Sequence, residues 1–165
     1  MNETNSPDEL RPDLPTGPQG SILHLIAQWQ DATQAFDEAI SNKLGLINAE
    51  YRCLRALMDG PKTAGVLAQA SGLTPAAATS MIDRLEKRGF VERQRDGADR
   101  RKVVVGMTKP ASETLSKFYR PVADDVAAML ANFAKADLTV IEAFMNGVLA
   151  LQQTHVEQIA DTLMP

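Results

Sequence analysis

Between Arg84 and Lys102 the chain places eight cations, Arg84, Lys87, Arg88, Arg93, Arg95, Arg100, Arg101 and Lys102, among four carboxylates, Glu86, Glu92, Asp96 and Asp99. That stretch carries +4, and since the whole chain is at −4 the remainder is at −8. Clustered guanidinium groups bind phosphates, and such clustering, rather than net charge, marks a nucleic-acid surface. Read without context, the same residues make a solvated charged hairpin.

Other side chains offer less chemistry. The single cysteine, Cys53, forms no internal disulfide. It sits beside Leu54 in an apolar pattern, so a buried, inert structural thiol is the preferred reading over an oxidant sensor. The two histidines, His24 and His155, are too far apart to suggest a zinc site. No Ser/His/Asp set or glycine-rich phosphate loop is present, so the sequence is read as neither an enzyme nor a cofactor or metal carrier.

The elements that position the cations follow from periodicity. Four prolines (Pro7, Pro12, Pro15, Pro18) and little apolar material mark residues 1–19 as a flexible tail. Ile22, Leu25, Ile26, Trp29, Ala32, Phe36, Ala39 and Ile40 recur in steps of three and four, predicting a long helix that stops at Gly45. Asn48 is read as the cap of a second helix, ending near Gly60-Pro61. A short third helix spans Thr63 to Ser71, closed by Gly72. Thr74 then caps a fourth, with Pro75 in its first position, Met81, Ile82 and Leu85 inward and Gly89 at its end.

Two strands, about Val91–Gln94 and Lys102–Met107, are joined by a loop at Gly97. Thr108 and Pro110 open a fifth helix, in which Pro121 predicts a kink or break. Asp137 caps a sixth. The glutamates of these helices, Glu142 among them, are read as solvated. The apolar runs are too short to span a bilayer, and there is no signal-peptide pattern.

Helix, short turn, helix and β-hairpin in that order make a winged helix-turn-helix. The fold class is mainly α with a small β-hairpin wing. The predicted division is 1–19 tail, 46–108 DNA-binding domain, and 20–45 with 109–165 as helical dimerisation region. The N-terminal part of the fourth helix would enter the major groove. Thr74, Ala76, Ala77, Ala78, Thr79 and Ser80 are small or hydroxylic there, allowing close approach to base edges. Arginines at the hairpin tip suit the negative potential of a narrow minor groove.

The stretch from "GLINAEYRCLRAL" to "KVVVGMT", and above all "DRLEKRGFVER" followed by Asp-Arg-Arg, resembles the MarR transcription regulators. The resemblance is strong over about residues 44–108 and elsewhere concerns layout alone. It implies a homodimer on double-stranded DNA, a palindromic operator, usually repression, and often release by a small-molecule effector; the single cysteine fits a reducing cytoplasm. Carried over by position, Thr79, Ser80 and Arg84 match recognition-helix contacts. Asp99 and Arg101 match the wing's Asp-x-Arg, beside Arg100, with Arg95 at the wing's base. His24 and Trp29, about one turn apart on the first helix, are candidate ligand-pocket residues; the competing reading places Trp29 in the core or a dimer interface.

Two departures stand out. Pro110 follows Thr108 where the family often has a Gly-containing turn. Ala76, Ala77 and Ala78 leave few polar groups on the recognition helix, which raises the weight of shape readout. The competing functions are a winged-helix protein-interaction module and a thiol-based oxidant sensor using Cys53.

Overall fold

A computed structural model describes residues 15–95, 97 and 102–162. Six helices and two strands follow in order: α1 Pro18–Leu44, α2 Asn48–Ala56, α3 Ala64–Ser71, α4 Pro75–Lys87, β1 Val91–Arg95, β2 Val103–Met107, α5 Lys109–Leu130 and α6 Lys135–Thr162. A single 3₁₀ turn, Leu57–Asp59, extends α2. The chain divides into two units, Met1–Ser112 and Glu113–Pro165.

Turn chemistry fixes the first unit. Gly45 and Gly72 take left-handed conformations, at φ +61° and +66°, and end α1 and α3. Such φ values suit glycine, which has no Cβ to clash. Thr63 and Thr74 cap α3 and α4 by accepting hydrogen bonds from the Val66 and Ala77 N–H groups. Pro75 occupies the first position of α4, where its missing N–H leaves no bond unmade.

The apolar stripe of α4 (Ala78, Met81, Ile82, Leu85) is fully buried. Leu54 and Leu57 of the α2 segment, Leu67 and Ala68 of α3, and Val91 of β1 are buried with it in the core. β1 and β2 pair antiparallel, with Arg93 opposite Val105. Val105 turns its own N–H and C=O the other way, to Lys62, in bonds of 2.8 and 3.0 Å. Thr108 hooks the exit of the hairpin: its hydroxyl donates to Gly89 O (2.6 Å) and accepts from Ala111 N–H (3.3 Å), capping α5.

Several sequence expectations change. Asp137, read as the cap of α6, lies in its first turn, since α6 begins at Lys135. α1 begins at Pro18, inside the last two positions of the expected tail; residues 1–14 lie outside the described ones. Asn48 is the first residue of α2, not its cap. The preceding Ile47 N–H is satisfied instead by the Glu50 carboxylate at 3.2 Å. Pro121 does not break α5, which is helical from Lys109 to Leu130; proline costs a helix one N–H bond, and the helix bears that loss here. Ala78 is buried, so it cannot face a groove. The departure at Pro110 is absorbed simply: it stands in the first turn of α5, where no N–H is needed.

The apolar faces of the long helices are covered only in part. In α1, Ile40 is buried, whereas Ile22, Leu25 and Trp29 are exposed. In the second unit Val122, Val126 and Met129 of α5 and Val140, Phe144, Leu149 and Val156 of α6 are exposed.

The core assignment has a direct consequence. Ile82→Ala is expected to lower unfolding free energy by about 2–5 kcal/mol, and Ala76→Ser on the opposite side of the same helix to change it by less than about 0.5 kcal/mol. Urea unfolding with unchanged m-values checks both.

Candidate nucleic-acid interface

Burying Ala78, Met81, Ile82 and Leu85 turns the opposite side of α4 outward. Ala76, Ala77, Thr79, Ser80, Asp83, Arg84 and Lys87 are all exposed there. Ala76, Ser80, Asp83 and Lys87, spaced by four, three and four, share one outward stripe. Thr79 and Ser80 donate their hydroxyl protons back to the carbonyls of Pro75 (3.0 Å) and Ala76 (3.2 Å). Their oxygens therefore present acceptor lone pairs outward, and hydroxyl rotation turns them into donors for a partner. Thr74 is engaged as the cap, so its role at the surface is to set where the helix begins.

The cations divide into two groups. Glu50, buried on α2, holds two of them: Arg84 Nε lies 3.3 Å from Oε1 and Arg88 Nη1 3.3 Å from Oε2. Arg88 also donates to the carbonyls of Leu44 (2.9 Å) and Gly45 (3.0 Å), and its guanidinium lies 5.0 Å from the centre of the Phe90 ring. It is an internal tie between the end of α4 and the end of α1. Arg84 is different. Glu50 engages its Nε, while 53% of the side chain remains exposed, so the pair aims a guanidinium that still faces solvent.

Arg93, on β1, is ion-paired to two carboxylates of α4. Its Nη2 is 2.5 Å from Asp83 Oδ1, and Nη1 bonds Glu86. The hydrogen bond to Asp83, followed by the charges of both partners, raises its pKa above the usual arginine value against an opposing desolvation effect. Among the described residues, Arg84, Arg88 and Arg93 are thus shared with carboxylates. Lys87, Arg95 and Lys102 are exposed. Asp99, Arg100 and Arg101 lie outside the described residues.

Sequence reasoning overlooked Glu50, Asp83 and Glu86. A signal for the first was present: Glu50 shares the helical spacing of Cys53, Leu54 and Leu57, and a carboxylate on an apolar stripe demands cationic partners. For the others the signal was two carboxylates three apart on a helix, followed by an arginine in the next strand.

The remaining candidates separate. His24 and Trp29 are both exposed on α1. Five residues apart on a helix, they point about 140° from one another, so the structure does not bring them together. Cys53 is buried, and burial first, then the Glu50 charge, pushes its thiol up from 9.0 to about 11. Among the described residues no group of His, Cys, Asp and Glu could hold a metal ion, and no helix is long and apolar enough to cross a membrane.

Residues 44–102 match the MarR family profile. The HTH-type transcriptional regulator YcgE of Bacillus subtilis is 26% identical over 160 residues, covering 96% of this chain and 99% of YcgE. The chain is similar to the MarR family over residues 44–102. The transcriptional regulator HosA of Escherichia coli is 34% identical to it over 82 residues, 49% of this chain and 60% of HosA. Solved structures with the same fold include RV1404 from Mycobacterium tuberculosis (TM-score 0.58, 19% identity, 84% of this chain and 98% of that one). A MarR family protein from Bacillus stearothermophilus superposes similarly (TM-score 0.57, 18% identity, 84% and 99%).

The thiol gives this site a test. A group whose pKa is raised on folding contributes stability below its unfolded value and loses it as pH rises through its folded one. Cys53 therefore contributes up to pH 9.0, and its contribution fades toward about pH 11. Cys53→Ser is expected to flatten that part of the stability-pH curve. Wild-type Cys53 is expected to react far more slowly with a thiol reagent at pH 8 in native protein than in urea.

Proposed function

We propose that this protein is a DNA-binding transcriptional regulator of the MarR family, a homodimeric, ligand-responsive repressor acting in the cytoplasm on a palindromic operator. The observation that carries the proposal is the single face on which α4 turns Ala76, Thr79, Ser80 and Arg84 outward beside a hairpin bearing Arg95 and Lys102. Small and hydroxylic residues let a helix approach base edges in the major groove. A hairpin beside it reaches the adjacent minor groove, where Asp99, Arg100 and Arg101 of the wing take the roles that the family resemblance gives them.

The division of labour is 46–108 for DNA and 20–45 with 109–165 for the partner chain. Support comes from the exposed apolar residues of α1, and separately from those of α5 and α6. Large uncovered apolar faces on a single chain mark an interaction surface, and a two-fold pair is the commonest way to cover one. Repression and release by an effector rest on the family resemblance. His24 and Trp29 remain candidates for the effector site, as alternatives on separate sides of α1 rather than as a pair.

Two outcomes are expected. Light scattering at micromolar concentration should give twice the chain mass of 17.9 kDa; a monomer would remove the palindromic operator with the dimer. DNA duplexes selected by the protein from a random pool should contain inverted half-sites about 34–36 Å apart. On those duplexes Arg101→Ala should cost on the order of 1–3 kcal/mol and reduce the preference for A·T-rich flanks. Lys87→Ala should cost less. Equal binding by wild type and Arg101→Ala at several salt concentrations would exclude the wing as a DNA reader.

A further inference from the structure

Two parts of the DNA-binding face must keep a fixed offset: the outward stripe of α4 and the hairpin. The chain between them is only Arg88-Gly89-Phe90, with Gly89 at φ +77°. Val91, Val104 and Val105 anchor the base of the hairpin in the core. On the other strand at the level of Val105, Arg93 makes three bonds to α4. Its guanidinium pairs with Asp83 and Glu86, and its backbone N–H donates to Glu86 Oε1 at 3.1 Å. Asp83 is on the same stripe as Ala76 and Ser80. Without its partner, a carboxylate would stand where phosphates approach.

We infer that Arg93 is a positioning residue of the DNA interface, clamping the wing to the recognition helix and cancelling that helix's outward carboxylates rather than contacting DNA itself. The inference rests on the DNA-binding reading above. Exposed ion pairs contribute little to global stability, so the clamp acts on geometry and local charge. A merely structural residue would show the opposite balance, with a lowered Tm and a binding loss independent of Asp83 and Glu86.

A double-mutant cycle tests it. The probe is the duplex the wild type selects from a random pool, with a scrambled duplex as control. Arg93→Ala is expected to weaken binding about five- to tenfold with little change in Tm. In an Asp83→Asn/Glu86→Gln background the same substitution is expected to cost less than about twofold. A phosphate ligand would behave differently: its removal would cost the same in both backgrounds and lower the salt dependence by about one ion. Equal costs in the two backgrounds overturn the inference.

A measurement without DNA separates this failure from failure of the DNA reading. Spin labels at Ala76→Cys and Lys102→Cys, in a Cys53→Ser background, should give a narrow distance distribution that broadens on Arg93→Ala. An unchanged distribution also overturns the clamp. If the wild type selects no duplex, the DNA reading fails, and the label distances judge the clamp alone.

Discussion

The buried carboxylate of Glu50 is the contact on which the first unit turns. One side chain completes the first turn of α2 at Ile47 and receives Arg84 and Arg88 from α4. Arg88 then reaches the carbonyls that end α1. Three helices are joined through one charge. A buried ion is costly unless its lone pairs are filled, and removing one partner is worse than never having had the pair. The arrangement therefore enforces a register: α4 cannot slide along α2 without stranding the carboxylate. Apolar packing of Leu54, Leu67 and Leu85 supplies much of the burial, but such side chains tolerate more displacement than a charge does.

The same economy governs the surface. The basic stretch looks, as a string, like a row of phosphate ligands. In three dimensions it contains internal ties, an aimed guanidinium and exposed cations. Arg88 is spent within the fold, Arg84 is held by its Nε while remaining half exposed, and Arg93 is shared with α4. Docking charge is thus a smaller number than the composition suggests.

Much of this was legible in the sequence because local rules and global packing agree. The cap at Thr74, the glycine stops at Gly45 and Gly72, and the inward set Met81, Ile82 and Leu85 all read correctly. The hairpin was placed to within a residue at each end. What was not legible had several causes. Asn48 looked like a cap by residue type, but the Ile47 N–H is met instead by the carboxylate of Glu50, three residues on. Nothing near Ala78 separates it from Ala76 and Ala77 except the angle of the helix to its neighbours. Pro121 misled because one missing N–H weakens a long helix without ending it.

The hairpin's hydrogen-bonding edges have a bearing on behaviour in crowded solution. A two-stranded ribbon ordinarily offers unpaired backbone groups along both sides, an invitation to another chain's strand. Here Val105 exchanges both of its outward bonds with Lys62, and the outward N–H of Arg93 is taken by Glu86. Each side of the ribbon is thus occupied near its middle by the protein's own groups. A strand arriving from a second molecule would have to displace an existing partner on either side. The hairpin can project from the core without becoming a seed for self-association.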